Sequence, residues 1–443
     1  MKYSENIYKN FVKLFVPILI VFFLLFLTNI IDTFFASKIS VKALAAMQAI
    51  FPLFFFLLSI NEGFSTATNN LISIALGEKN DKKKNIYFTI WVMLALVVGI
   101  ILFCLADNFV FFLLGLMNLS KEVFKLAFDY MDILFKFSFF YFLVGIGWAV
   151  LISFHKRKWI IFFWVLNVVL NTLLNYIFVF KFDLGVKGLA LWTGIMWVIF
   201  NIIFFLKFVF LDKLVFFDFS FIKTDRKLYL KKYLSYFFSA FLSLQVFVWE
   251  FLINNYFTSL VGDKALAAYW VCSRLVEIVL NPFFAGWVSF VTMLWYWRWA
   301  KDHKMLEKLI FSIRKILYIY VLVSAVILFF FFKYLVLFFT DDSLVFYYSQ
   351  IYLQIFAVFM IFFWINYFYS QIFQVTGFHR YRIFTNIMLV ILIWFFEYLF
   401  CKYLGLQFRN IWLGWLSAQI VMAVVVWVLY ETKVKKVLYS NLD

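Results

Sequence analysis

Ionisable and amide side chains set inside long apolar runs are where this sequence could do chemistry. Asp32 follows Thr28 and Asn29 and precedes Thr33. Asn29, Asp32 and Thr33 share one face of a helix, because positions three and four apart are neighbours there. Asn167, Asn171 and Asn175 recur at i, i+4 and i+8 and form an amide stripe, and Thr193 and Asn201 share a face further on. One carboxylate among amides and hydroxyls offers oxygen ligands to a proton or to a small hard cation such as Na⁺. An ionisable group at the bilayer centre costs at least about 2.5–3.5 kcal/mol, so each one retained there calls for a reason. Glu277, three residues after Arg274, can form an internal neutral pair or, like Glu62, serve a second ion site or the substrate. Glu250 has no cation within a turn, which suits a second proton site or a site for a cationic substrate. Glu62, beside Gly63 and followed by Ser65, Thr66, Thr68, Asn69 and Asn70, suits a water-filled vestibule. Asp132 is placed to pair with Lys136, and Glu397, about one turn from the outer end of its run, can reach the membrane interface.

The runs that hold these residues exclude several classes of protein. The 443 residues are 66% hydrophobic, 25% aromatic and only 14% charged, with a mean hydropathy of +0.97. Soluble domains average about 45–50% apolar and about 25% charged, so this chain has too little polar surface for water. Cys104, Cys272 and Cys401 lie far apart with no C-x-x-C pair, which supports neither a disulfide framework nor a zinc site. His155, His303 and His379 fall in basic loops, leaving no intramembrane histidine relay. No phosphate-binding glycine loop appears, which argues against a pump driven by ATP, and no cofactor is expected. No Ser/His, paired-Asp or metal-ligand constellation in the spans points to an enzyme.

A hydrocarbon core of about 30 Å needs about 20 apolar helical residues. Read that way, the spans fall near 14–36, 43–68, 86–108, 128–153, 159–180, 187–210, 233–260, 265–297, 311–332, 344–373, 381–401 and 409–430. Twelve uncleaved helices are expected, since a barrel would alternate polar and apolar residues. With the N-terminus inside, 28 Lys/Arg lie in cytoplasmic segments against 10 outside, and Lys136 and Arg274 lie within spans. That asymmetry is the positive-inside rule. It accounts for the net charge of +17 without nucleic acid and places both termini in the cytoplasm.

Sliding the chain on itself by 222 residues pairs Ile31–Ala46 with Ile253–Ala268, 8 of 16 identical, and Asn175–Phe178 with Glu397–Phe400. Each half therefore holds six spans in the same orientation. Parallel repeats of this kind are a transporter architecture. The expected layout is an all-α polytopic membrane protein with an N-lobe over 1–210, a cytoplasmic linker over 211–232 and a C-lobe over 233–443. Pro17 and Pro282 each remove a helix hydrogen bond and permit a bend. Pro17 lies 15 residues before Asp32, about 22 Å along a straight helix, where a hinge could tilt the end carrying Asp32.

Four stretches carry a family resemblance: Pro17 with Asp32-Thr33, Ala43–Ala46 leading to Phe51-Pro52-Leu53, Ala75-Leu76-Gly77-Glu78, and Asn175–Gly194. They resemble the multidrug and toxic compound extrusion (MATE) family, most closely its prokaryotic DNA-damage-inducible-type branch. The second half matches through Lys264–Ala268 and Pro282. The resemblance implies that Asp32 binds the coupling cation and that Asn171 and Thr193 are its polar partners. Asn175 stands where proton-coupled archaeal-type members have a second aspartate. The Na⁺-coupled branch has a span-7 glutamate at a position that counts to Phe247 here, one turn from Glu250. The expected protein is then a monomeric secondary antiporter of the inner (cytoplasmic) membrane, exporting small organic, chiefly cationic, compounds for H⁺ or Na⁺ by alternating access. A flippase for lipid-linked precursors is the alternative, disfavoured because only Lys136 and Arg274 are intramembrane cations.

Overall fold

In the bilayer the backbone has no water to bond, so apolar runs satisfy their own amides as helices. The computed structural model describes residues 7–220, 226–299, 303–331, 333–375 and 379–435, and over these it contains helices and no strands. In chain order they are α1 (Ile7–Ile39), α2 (Val41–Ala49), α3 (Phe51–Gly77), α4 (Asp81–Gly115), α5 (Lys121–Lys136), α6 (Ser138–Ser153), α7 (Arg157–Tyr176) and α8 (Gly185–Phe204). The second half follows with α9 (Arg226–Val261), α10 (Asp263–Trp299), α11 (His303–Phe330), α12 (Lys333–Val336), α13 (Ser343–Val375), α14 (His379–Leu404) and α15 (Phe408–Leu429). Ten of the described helices are long and apolar enough to cross a membrane. The bent pairs α2–α3 and α5–α6, each taken as one span, make twelve.

The bends have local causes. Pro52 sits in the first turn of α3, where its missing N–H and fixed φ end the preceding helix, and the two pieces meet at 41°. In the second repeat the same position is Arg274, which donates normally, and α10 runs unbroken to Trp299. Between α5 and α6, bent by 57°, the Phe137 ring drops onto Gly194 of α8, where a Cβ would sit 2.6 Å from it. By contrast α1 runs unbroken across Pro17, which is exposed; the expected hinge is a continuous helix in this structure.

The repeat is visible in the contacts. Lys42 on α2 pairs with Glu122 in the first turn of α5, and its counterpart Lys264 on α10 pairs with Asp342 before α13 at 2.7 Å. Ser120 accepts from Val123 N to cap α5, and Asp342, 222 residues on, accepts from Leu344 N and Val345 N to cap α13. Lys264 and these amides hold the Asp342 carboxyl below the usual carboxylate range. A lowered folded pKa stabilises above the unfolded value, about 3.9 for Asp, and that contribution is lost as pH falls through the folded pKa. Asp342→Asn should therefore narrow the acid-side stability difference between pH 5 and pH 2, read as thermal unfolding. An unchanged difference would remove this pair from the acid response.

The compact units do not follow the two halves. One comprises Met1–Ser37 with Ile253–Asp443, the other Lys38–Leu252. Each half thus gives most of its first span to the unit formed by the other, whereas the boundaries at 210 and 233 follow the repeat. The physical reason is that α1 and α9 bury little inside either unit: none of α1's most apolar window is buried, and 6% of that of α9.

Within the first unit, α15 packs on α13 and α14. Gly414 makes the α14 crossing close: a Cβ there would lie 2.8 Å from the Phe396 carbonyl oxygen and 2.9 Å from Glu397 Cα. Those atoms are backbone and cannot swing aside, so Gly414→Ala should cost about 1–3 kcal/mol as overpacking. Gly115→Ala, facing open space, should cost far less. Melting of the two variants in detergent checks the contrast, and equal melting points would contradict the close crossing.

Candidate functional site

Helix α1 carries Asn29 and Asp32 in one turn, and α10 carries Arg274 and Glu277 in one turn. Both belong to the first unit. Their side chains meet. Asn29 Nδ2 donates to Glu277 Oε2 at 3.0 Å, and Arg274 Nη1 contacts Glu277 Oε1 at 2.5 Å. The guanidinium lies 4.4 Å from the centre of the Trp270 ring, a cation–π arrangement strengthened by exclusion of water. Arg274 is 4% exposed, and its charge interacts with Asp32 as well as Glu277 and with Tyr269 and Tyr352. Asp32 itself is half-buried. The Arg274–Glu277 pair expected from the sequence is thus present, and it is joined to the Asp32 turn through Asn29, a link between residues 248 positions apart that the sequence did not show.

Chemically this is two carboxylates with one resident cation. A guanidinium cannot lose its proton under ordinary conditions, so it serves as a fixed positive charge that either acid can lean on. The acid less committed to it can hold an exchangeable proton or metal cation. Thr33 donates to the Asn29 carbonyl oxygen at 2.8 Å and is fully buried, which fixes the turn that carries Asp32.

The other expected residues lie in the second unit. On α7, Asn171 and Asn175 are 2% and 0% exposed, while Val169 and Leu173 on the opposite face are open, so the amide stripe faces inward as the spacing required. Thr193 on α8 donates to the Leu189 carbonyl oxygen at 3.0 Å, and Asn201 donates to the Phe140 carbonyl oxygen at 2.8 Å. Glu62 on α3 is half-buried and interacts electrostatically with Tyr141. Glu250 is half-buried in the part of α9 that belongs to this unit, and Phe247 beside it is exposed. Asp132 pairs with Lys136 at 2.7 Å, as its spacing suggested, and Asp107 joins them at 3.1 Å. Among the described residues no group of three or more His, Cys, Asp or Glu is placed to hold a metal ion.

Sequence reasoning placed Glu397 at the membrane interface. A position one turn from the end of a span suggests a side chain that reaches water, yet Glu397 is fully buried. The signal that could have found it was its place in the repeat, opposite Asn175.

Comparison with known proteins accords with this architecture. Over 283 residues the chain is 24% identical to the multidrug export protein MepA of Staphylococcus saprophyticus, covering 62% of this chain and 61% of that protein. It is 31% identical over 107 residues to the probable multidrug resistance protein YoeA of Bacillus subtilis, 24% of this chain and 23% of that one. The chain thus spans less than two thirds of the length of either relative. Among solved structures, the inward-facing conformation of a multidrug resistance MATE family transporter of the MOP superfamily superposes with a TM-score of 0.85 at 19% identity, covering 94% of this chain and 96% of that one. The outward-facing conformation of a MATE family transporter gives 0.74 at 20% identity, with 99% of each chain covered. The MatE family model matches twice, over residues 17–177 and 239–399, a separation of 222 residues that is the internal repeat. With both copies of the model accounting for most of its length, the chain belongs to the MatE family.

Proposed function

We propose that this protein is a secondary antiporter that exports small organic cations in exchange for H⁺ or Na⁺, with Asp32 as the coupling carboxylate. The observation that carries the reading is the junction of α1 with Arg274 and Glu277: a half-buried acid beside a fixed guanidinium and a second acid. Empty, Asp32 is balanced by Arg274. Loaded with a proton or Na⁺, it no longer needs that charge, and Arg274 settles on Glu277. The two states differ in how α1 is tied to α10, which is the differential interaction any ligand needs to shift a conformational equilibrium. The names of MepA and YoeA, and solved relatives in inward- and outward-facing forms, support export by alternating access. In this reading the protein is a monomer of the inner membrane, and the distribution of Lys and Arg favours cytoplasmic termini.

The test is direct. Purified protein in liposomes, loaded with a fluorescent organic cation, is given a pH gradient alone and then a Na⁺ gradient alone. One of the two gradients is expected to drive accumulation against the dye's concentration gradient, and failure of both would refute ion-coupled export.

A further inference from the structure

One end of the second unit holds a polar cavity that ion-coupled export does not use. Its volume is about 660 Å³, within the about 300–1,000 Å³ of ordinary small-molecule sites. The walls come from the last third of α3, the end of α6 and the first turn of α7, all in that unit. Asn69, Ser73, Ser153 and His155 supply polar groups, and Ile152 and Ile160 supply apolar ones.

The hydrogen bonds fix what these groups can offer a ligand. Ser153 Oγ donates to Asn69 Oδ1 at 2.9 Å, sharing its proton with the Ala149 carbonyl oxygen at 2.9 Å. With Oδ1 engaged, Asn69 presents its amide nitrogen, which can only donate. Ser73 Oγ donates to Ser153 Oγ at 3.3 Å, long for a bond between hydroxyls, so it can turn to a better acceptor. His155 ends α6 at φ +57°, where glycine is usual, and its exposed ring adds an N–H. Among the described residues no carboxylate lines the cavity. The acids of the neighbouring loop, Glu78 and Asp81, pair with Lys83 and Lys84, each at 2.7 Å. Lys156, Arg157 and Lys158 follow His155 directly. Donors set between two basic loops suit an anion.

The adjoining surface argues that the anion carries hydrocarbon. Ile152 lines the cavity and is nevertheless 46% exposed, and Ile161 and Phe162, next to Ile160, are also exposed. Such side chains do nothing for a soluble anion, whereas basic pockets between transmembrane helices seat lipid head groups. We propose that this cavity binds the phosphate head group of an anionic phospholipid, whose acyl chains lie along the exposed apolar side chains of α6 and α7. The phosphate oxygens accept from Asn69 Nδ2, Ser73 Oγ and the His155 ring, while Lys156 and Lys158 attract its charge to the loop. A lipid held there ties α3 to the turn between α6 and α7. It requires no transport, so the site stands or falls apart from the antiport reading.

The test is native mass spectrometry of the full chain in detergent, titrated with phosphatidylglycerol. Two variants keep the fold. His155→Gly suits the positive φ and removes only the ring. Asn69→Asp keeps the shape and the acceptor for Ser153, and replaces the amide donor with a negative charge. Each should weaken phosphatidylglycerol binding at least about tenfold, the worth of one hydrogen bond to a charged group. Unchanged binding in either variant would overturn the proposal. The unaltered protein gives a second measurement. Phosphatidylcholine, whose phosphate is offset by a choline cation, should bind more weakly than phosphatidylglycerol, and equal binding of the two would overturn the assignment. Inorganic phosphate should fail to displace the lipid at equal concentration. Displacement would show a site for a free anion and refute the lipid.

Discussion

Asp32→Asn should leave the protein folded and reduce ion-driven export by at least about a hundredfold, to the level of empty liposomes. Asparagine keeps the shape and can still accept a hydrogen bond, so the half-buried position loses no packing. The fixed turn at Thr33 and the Asn29–Glu277 bond also remain. What disappears is the exchange: an amide neither takes up a proton near neutral pH nor offers net charge to Na⁺. A ligand with equal affinity for two conformations shifts neither, however large its gradient, so the drive is lost even if the dye still binds. Export measured in liposomes, with dye binding and melting temperature as controls, separates these effects. Normal export by Asp32→Asn would end the assignment of Asp32 as the coupling group.

Much of this architecture could be read before any coordinates were considered. The lengths of apolar runs give twelve spans because bilayer thickness sets helix length. The pairing of Arg274 with Glu277 and of Asp132 with Lys136 follows from helical spacing alone, and both are present. What spacing cannot convey is which helices meet. The bond from Asn29 to Glu277 joins α1 to the tenth helix, and nothing local to residue 29 points there. Compact units that exchange their first spans are equally invisible to a reading of the repeat, because the repeat records ancestry of sequence whereas packing records which surfaces bury one another. Glu397 shows the opposite failure. Its place opposite Asn175 was in plain view, but distance from the span end suggested an interfacial side chain. The close crossing that Gly414 permits buries it instead. Depth along a helix predicts exposure only where no neighbouring helix covers that face.

Arg274→Met should be the most destabilising single change at the site. The guanidinium is 4% exposed and balances Glu277 at 2.5 Å, while its interaction with Trp270 excludes water from the pair. Removing one partner of a buried ion pair leaves the other charge without compensation, at a cost of about 3–5 kcal/mol. Methionine fills much of the volume, so the loss is electrostatic and not a cavity. Removing both charges together is a different matter, because well-packed apolar residues often replace a buried pair at no net cost. Arg274→Met with Glu277→Leu should therefore recover most of the melting temperature lost by Arg274→Met alone. The recovered protein then reports on coupling free of the folding defect. Without Arg274, the empty form of Asp32 has lost its internal counter-charge, so the acid should hold its proton or cation too long, and export should stay at least about tenfold below the unaltered rate. Arg274→Met melting with the unaltered protein would show that the pair stabilises nothing. A double variant that exports at full rate would reduce Arg274 and Glu277 to a scaffold beside Asp32, with no part in its exchange.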